Sequence, residues 1–253
     1  MPEQRDTASL KGWQTVMKPN GAAANGQDYV SGNWPPEGHP LYGDERIVGS
    51  VTDWLLSRGH SVLQLYLLHQ GDERRHSLDV LQRVNVPPGA RVLSLGCGVA
   101  GMERYWQHAR PDIRFTLVNA SRAQLVRCLC HGKLVHGDMR DPTMLAALGL
   151  HDVAVMAYSL HHADSVPSMI TMARCYLKPG GTLLVLDVID TSERFNDAVQ
   201  YRGLESSDLQ RAGLVRLDYG LQWHRLPDDV LGKHVAEVLD EGGATPSMWI
   251  GGA

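Results

Sequence analysis

The sequence lacks most of the features that mark secreted, fibrous and membrane-spanning proteins. Its 253 residues include 4 Cys and no Cys-x-x-Cys pair, so no disulfide framework is indicated. No apolar run reaches the roughly 18–20 residues that cross a bilayer, and the polar first residues do not have the pattern of a signal peptide. These absences predict a reduced, soluble and cytoplasmic protein.

Charge and composition narrow the functional classes further. The formal net charge of −4 provides no overall basic field, which argues against binding to nucleic acid through net charge. With 26 Gly and 13 Pro, the chain has too little of either for a collagen-like or low-complexity protein. At 43% hydrophobic residues it can bury a sizeable core. We expect its partner to be a small-molecule substrate, and neither nucleic acid nor a membrane.

Three regions follow from the pattern of apolar residues. Residues 1–40 are rich in Gly, Pro, Asn and Gln and predict a flexible arm, and residues 41–88 predict a small helical cap. Residues 89–253 form the predicted core, with substrate-covering insertions after residue 190. In the core, short apolar runs alternate with amphipathic stretches, which is typical of βαβ units and a doubly wound parallel sheet.

The apolar pattern also gives approximate bounds for the individual elements. The predicted strands are 91–95, 115–118, 134–135, 153–157, 182–187, 214–217 and 247–250. The predicted helices are 72–84, 101–109, 122–130, 166–176, 208–212 and 227–241, with one more after each of residues 44, 142 and 191.

A glycine motif follows the first of these strands. Gly96, Cys97 and Gly98 come directly after the strand, and Gly101 opens the next helix, which completes a Gly-x-Gly-x-x-Gly pattern. Glycines allow the backbone to turn sharply and approach a ligand, while the N–H groups at a helix start favour polar or anionic groups. The alternative is a tight strand-to-helix turn that binds nothing.

Four segments in register resemble the class I S-adenosylmethionine-dependent methyltransferases. Residues 93–98 are similar to the family's first motif, and 137–139 (Gly-Asp-Met) to the acidic turn that holds adenine. Residues 152–162 resemble its fourth strand with a Leu-His-His exit, and 177–182 the turn into its fifth strand. The resemblance implies a Rossmann-like, seven-stranded, mostly parallel sheet with helices on both faces, and S-adenosylmethionine as cofactor. An NAD-dependent reductase is the alternative.

One departure from the family pattern lies at the end of the second strand, where an acidic residue usually takes the ribose hydroxyls. This chain has Asn119-x-Ser121-x-x-Gln124, a form that resembles the cyclopropane synthase, sterol and prenyl diphosphate C-methyltransferase branch. The alternative is that Asn119 is a tolerated variant. The resemblance assigns cofactor binding to Tyr42, Gly96, Cys97, Gly98, Gly101, Asn119, Ala120, Gln124, Gly137, Asp138, Met139 and Tyr158.

Aromatic and basic residues outside the motifs are candidates for binding the substrate. The chain has 6 Trp and 8 Tyr but only 2 Phe, and aromatic faces attract cations such as a sulfonium or a carbocation. Arginine suits phosphate because its planar fork binds two oxygens. Core packing and solvated helix faces are the alternatives. The substrate-binding candidates are Tyr66, Arg74, Arg75, His162, Tyr201, Arg202, Trp223, His224 and Trp249.

Histidines and nearby acids or phenols are the candidates for proton transfer. His161 and His162 follow the fourth strand, at the end of the sheet where ligands bind, although the pair also fits a role in shaping the loop. The branch's catalytic acid is not evident at this point. The candidate bases are His161, Tyr158, Glu205 and His69. No His-Glu-x-x-His or close ligand cluster indicates a resident metal; Mg²⁺ is expected if the substrate is a diphosphate.

These observations predict a small-molecule methyltransferase. They favour C-methylation of an isoprenoid alkene such as isopentenyl or geranyl diphosphate. O- or N-methylation of a specialised metabolite is the first alternative. Two others are an inactive cofactor-binding partner protein and an enzyme that uses the sulfonium to trigger a rearrangement or cyclisation. Apolar surface on the cap is compatible with a homodimer.

Overall fold

The computed structural model describes residues 45–57, 59–61, 72–193, 203–217 and 245–253. The helices in these ranges are α1 (Glu45–Ser57), α2 (Glu73–Arg83), α3 (Gly101–Ala109), α4 (Arg122–Leu125), α5 (Pro142–Ala146), α6 (Val166–Cys175) and α7 (Ser206–Arg211). The strands are β1 (Arg91–Leu95), β2 (Arg114–Asn119), β3 (Gly132–His136), β4 (His151–Ala157), β5 (Leu177–Ile189), β6 (Val215–Leu217) and β7 (Thr245–Gly252). The predicted arm and the helices predicted after 191 and over 227–241 lie outside the described residues.

The seven strands form one sheet in the order β3-β2-β1-β4-β5-β7-β6. β1 lies between β2 and β4 and pairs parallel with both, whereas β7 runs antiparallel to β5 and β6. The strand order therefore reverses at β1: the chain continues to β2 on one side of β1 and, after β3, returns to β4 on the other side. The carboxyl ends of β1, β2 and β4 meet at one edge of the sheet. We call this the carboxyl edge. The predicted mostly parallel, seven-stranded sheet is confirmed.

Apolar side chains of alternate strand residues form two clusters, one on each face of the sheet. On one face Val92 packs with Trp106 of α3 and Val80 of α2. On the other face Leu93 packs in a cluster that includes Ile170 of α6. Because both faces are covered, the central strands read as nearly continuous apolar runs.

Most strands are a few residues longer than predicted, and the two largest differences in length, in β5 and α4, have a tertiary cause. β5 runs past its predicted end at residue 187 because β7 pairs with it from Thr182 to Ile189, and it begins early, at Leu177, where it pairs with His151 of β4. α4 ends at Leu125, although the pattern predicted a helix to Cys130. Beyond it the chain turns back, and the N–H of Leu129 donates to the carbonyl of Val99 in the glycine motif (2.8 Å).

The first two helices are attached to the sheet's helical layer. The indole Nε1 of Trp106 in α3 donates to the carbonyl of Ser77 in α2 (2.8 Å). α1 lies against α4, where Asp53 forms a two-point ion pair with Arg127 (2.6 and 2.7 Å). No helix among the described residues is long and apolar enough to cross a membrane.

His151 makes the stability of this fold depend on pH. Its ring is fully buried, with Nε2 3.2 Å from Thr116 Oγ1, and burial, followed by the charge of Arg91, lowers its pKa to about 4. Between pH 6.5 and 4 the unfolded chain therefore binds a proton that the folded protein does not. As pH falls through this window, the free energy of unfolding should decrease by about 1.4 kcal/mol per pH unit from this group.

The matched variant is His151→Gln, which keeps a polar group toward Thr116 and does not titrate. Urea unfolding of both proteins at pH 7, 6 and 5 measures the effect. The wild-type protein should lose more stability than the variant over this range. Parallel losses in the two proteins would contradict the assignment to His151.

Candidate functional site

The turn after β1 is shaped by two glycines in the left-handed region. Gly96 has φ +73° and Gly98 has φ +57°, conformations that side chains other than glycine rarely adopt. Ser159, which follows β4, packs directly over Gly96, so a Cβ at Gly96 would lie 2.5 Å from Ser159 Cβ. At Gly98 the nearest atom to such a Cβ is Gln124 Oε1 at 4.0 Å. Glycine is therefore required at position 96 because Ser159 packs against it, whereas the backbone of Gly98 faces open space.

A network of neutral amides follows β2. Asn119 Nδ2 donates to the carbonyl of Gly98 (3.1 Å) and to Gln124 Oε1 (2.9 Å). Ser121 is the N-cap of α4, and its Oγ accepts the N–H of Gln124 (3.2 Å). The Asn-x-Ser-x-x-Gln pattern is thus one hydrogen-bonded unit that joins the end of β2 to the glycine turn.

The acidic turn after β3 carries a paired charge. Both carboxylate oxygens of Asp138 accept from the Arg140 guanidinium, at 2.6–3.0 Å. This guanidinium holds the pKa of Asp138 below its usual value. Met139, which lies between the two, is buried. The turn therefore offers an ionised carboxylate beside an apolar side chain.

Three residues that the sequence analysis did not single out also face this region. Ser61 covers the start of α3, and its N–H and Oγ both donate to Glu73 (2.5 and 2.9 Å). Glu103 in α3 is buried and accepts from Ser94 Oγ (2.5 Å). Burial raises the pKa of Glu103, and the hydrogen bond from Ser94 partly offsets this. Glu45, at the start of α1, lies beside Ser121.

These groups enclose a cavity of about 290 Å³ at the carboxyl edge. Its volume is near the lower end of the roughly 300–1,000 Å³ typical of small-molecule sites. All predicted cofactor residues that the structure describes line this cavity, except Gly137, whose N–H donates to the carbonyl of Asn119 (3.1 Å). Tyr42 lies outside the described residues. Their binding role stays a prediction, but the structure brings them together.

The cavity lining fits an adenosyl cofactor. Open backbone at Gly98, the Asn119–Gln124 amide pair and the Asp138–Met139 turn lie along one cavity. Amide and carboxylate oxygens accept hydrogen bonds from ribose hydroxyls and from an exocyclic amine, and the methionine side chain packs on an aromatic ring. Among the described residues no group of three or more His, Cys, Asp or Glu side chains could hold a metal ion.

The two predicted histidines occupy different positions. His162 lines the cavity, whereas His161 is buried beside it, with ring centroids 4.0 Å apart. His161 Nδ1 lies 3.1 Å from Oδ1 of the fully buried Asp187. Desolvation, followed by the nearby His161, lowers the pKa of His162. His162 is therefore neutral at pH 7, and its burial makes it a weaker base than a solvent-exposed histidine.

Tyr158 directly follows β4 and has φ +55°, a strained conformation for a residue with a side chain. It lines the cavity, and its hydroxyl lies 3.4 Å from His76 Nε2 of α2. The strained backbone is characteristic of functional sites, where surrounding contacts hold a side chain in place. The structure therefore keeps Tyr158 among the candidate site residues.

Other predicted site residues lie elsewhere. The structure places Trp249 in the packed core at 1% exposure, where its Nε1 donates to Ser247 Oγ, and not in the cavity. Arg74 and Arg75 are exposed on α2, and Glu205 is exposed at the start of α7; none of the three lines the cavity. The remaining candidates lie outside the described residues: Tyr66, His69, Tyr201, Arg202, Trp223 and His224.

Comparison with known families decides the identity of the fold. A family model described as a methyltransferase domain matches residues 69–229. The chain belongs to this methyltransferase family. The resemblance of its four motifs to class I S-adenosylmethionine-dependent methyltransferases is thereby confirmed.

Two curated plant proteins are similar to this chain over part of their length. Phosphoethanolamine N-methyltransferase 1 of Zea mays is 25% identical over 162 residues, which cover 60% of this chain and 32% of the relative. The Arabidopsis thaliana protein of the same name is 22% identical over 152 residues, covering 56% and 30%. The chain thus spans about a third of the length of these relatives.

Solved structures share the methyltransferase fold. The [4+2]-cyclase SpnF has a TM-score of 0.59 at 17% identity, covering 81% of this chain and 92% of that one. A geranyl diphosphate methyltransferase in complex with GPP and sinefungin has a TM-score of 0.54 at 13% identity, covering 70% of this chain and 76% of that one. An O-methyltransferase family protein from Burkholderia thailandensis has a TM-score of 0.51 at 15% identity, covering 83% of this chain and 60% of that one. At these identities the similarity shows the fold alone.

The packing of Ser159 over Gly96 gives a prediction with an internal control. Gly96→Ala adds both backbone strain and overlap with Ser159, and should lower the free energy of unfolding by about 3 kcal/mol. Gly180→Ala has similar strain at φ +76°, but nothing lies within 4 Å of the added Cβ. It should lose only about 1 kcal/mol. Chemical denaturation measures both, and equal losses would contradict the close packing.

Proposed function

We propose that this chain is an S-adenosylmethionine-dependent methyltransferase that acts on a small molecule. The observation that carries the proposal is the cavity at the carboxyl edge, in a chain that belongs to a methyltransferase family. There the glycine turn, the Asn119–Gln124 pair and the Asp138 turn meet, although they come from three different strand ends.

The chain's own residues would hold the cofactor along this cavity. The backbone of Gly96 and Gly98 would receive its amino-acid part, Gln124 its ribose, and Asp138 and Met139 its adenine. When bound, S-adenosylmethionine supplies an electrophilic methyl group on a sulfonium. Methyl transfer is a direct displacement, so alignment and exclusion of water supply most of the rate, and no protein nucleophile is needed.

Acceptors that lose a proton also need a base. We propose that His162 faces the acceptor side, with His161 packed behind it and Asp187 as the residue that positions His161. Asp187 accepts the backbone N–H groups of Leu160 (3.0 Å) and Val188 (2.9 Å) as well as approaching His161 Nδ1. These contacts fix the carboxylate, which in turn fixes the orientation and tautomer of the imidazole.

Asp187→Asn tests this positioning role. The amide removes the charge that stabilises an imidazolium, so kcat should fall roughly 10- to 100-fold with little change in KM. Asp152→Asn is the control, because Asp152 binds Lys178 (2.7 Å) and the N–H of Arg91 (2.8 Å) at the opposite end of β4. Equal effects of both changes, or a rise in KM with kcat unchanged, would contradict the positioning role.

Two acceptor classes have specific support. C-methylation of an isoprenoid alkene is supported by the Asn119-x-Ser121-x-x-Gln124 unit, and a geranyl diphosphate methyltransferase shares the fold. N-methylation of a phosphorylated amine is supported by the 25% identity to a phosphoethanolamine N-methyltransferase. Isoprenoid C-methylation is our first candidate. A diphosphate acceptor would bring Mg²⁺ as its own counter-ion.

An acceptor panel tests the function and separates these classes. The protein is incubated with methyl-labelled S-adenosylmethionine and, in turn, isopentenyl diphosphate, geranyl diphosphate, phosphoethanolamine and a simple phenol, each with and without Mg²⁺. We expect a labelled prenyl product and one equivalent of S-adenosylhomocysteine in the presence of Mg²⁺. Labelled phosphoethanolamine would favour the second class. No labelled product and no S-adenosylhomocysteine with any acceptor would contradict methyl transfer to these classes.

A further inference from the structure

We propose that Glu45 supplies the carboxylate that binds the ribose hydroxyls of the cofactor, in place of the acidic residue that β2 lacks. The inference rests on the proposed function and assigns a specificity-determining residue to the same cavity. Glu45 belongs to α1, about seventy residues before the end of β2 in the chain, and no sequence motif marks it.

Asn119 stands where the family pattern has the acid, but its amide is committed to the protein. Its Nδ2 donates to the carbonyl of Gly98 and to Gln124 Oε1, and its Oδ1 accepts the N–H of Ser121 (3.4 Å). These bonds hold the glycine turn against the end of β2. Asn119 therefore shapes the cavity but carries no negative charge for a ligand hydroxyl.

Among the described residues, three carboxyl side chains line the cavity: Glu45, Glu103 and Asp138. Glu103 of α3 is buried against Ser94 of β1, and burial raises the pKa of Glu103. Asp138 is held by the guanidinium of Arg140 on the acidic turn. Glu45 remains as the carboxylate that adjoins the Asn-x-Ser-x-x-Gln unit.

The contacts of Glu45 place it at the ribose side of the cavity. Its Oε2 accepts from Ser121 Oγ (3.1 Å) and from the N–H of Ala123 (2.7 Å). Both donors lie in the Asn119–Gln124 unit, close to Gln124, the residue proposed to hold the ribose. No described residue donates to Glu45 Oε1. One oxygen thus anchors the side chain, and the other is left to accept a ligand hydroxyl.

α1 is held firmly enough to present this carboxylate. α1 packs against α4 at Gly49, where an added Cβ would lie in ordinary van der Waals contact with Ala123 Cβ, at 3.6 Å. One turn further on, Asp53 pairs with Arg127. A carboxylate makes stronger hydrogen bonds to hydroxyls than a neutral amide does. In this proposal the carboxylate that binds the ribose lies on α1 and not at the end of β2.

The test is a thermodynamic cycle that combines a change in the protein side chain with removal of a ligand hydroxyl. Calorimetric titration gives the Kd of S-adenosylhomocysteine and of its 2′-deoxy and 3′-deoxy analogues for three proteins: the wild type, Glu45→Gln and Asp53→Asn. Asp53→Asn is the matched control, because it weakens the same α1–α4 contact without lining the cavity. Glu45→Asp, which retains the charge and shortens the reach, serves as a second variant.

In the wild type, removal of a ribose hydroxyl should weaken binding roughly tenfold or more, as expected for a hydrogen bond to a charged group. In Glu45→Gln the penalty should shrink to about twofold, while Asp53→Asn should keep the full penalty. If Glu45→Gln weakens all three ligands equally, or leaves the penalty intact, Glu45 is a structural anchor and the inference is overturned. If the wild type binds none of the ligands, the proposed function itself has failed.

Discussion

At the end of β2, the carbonyl of Val118 accepts two hydrogen bonds from the turn after β1, from the N–H groups of Gly96 (2.9 Å) and Cys97 (3.0 Å). On the other side, Ser159 Oγ, just after β4, donates to the carbonyl of Leu95 (2.7 Å). The end of β1 is thereby clamped between its two neighbours. The chain must turn within two residues, and only glycine fits under Ser159. The open backbone of the cavity is a consequence of this clamp.

Around the clamp the polar groups are arranged in pairs. Asn119 is paired with Gln124, Asp138 with Arg140, and Glu103 with Ser94. Groups fixed in this way keep their positions before a ligand arrives, which lowers the cost of ordering them on binding. Asp187 fixes the position of the His161 ring in the same way, on the side of the cavity next to β4. The cavity is thus preorganised on both of its walls.

The sequence predicted the parts of the molecule that depend on local pattern. β1 and α3 were predicted with the observed bounds, since an apolar run, two glycines and an amphipathic stretch define them locally. The length of β5 could not be predicted, because its ends depend on pairing with β4 and β7. Glu45, Ser61, Glu103 and Asp187 escaped notice because their roles arise from contacts between distant segments. Trp249 was assigned to the substrate from its residue type, but its place on β7 puts it in the core.

Hydrogen–deuterium exchange with and without S-adenosylhomocysteine tests most directly whether the cavity at the carboxyl edge is the cofactor site. Saturating ligand should slow amide exchange in three separate segments, 96–101, 119–125 and 137–140, because all three line the same cavity. Exchange in α7, which does not line it, should stay unchanged. Slowed exchange elsewhere in the protein without any in these three segments, or no change at millimolar ligand, would contradict the account.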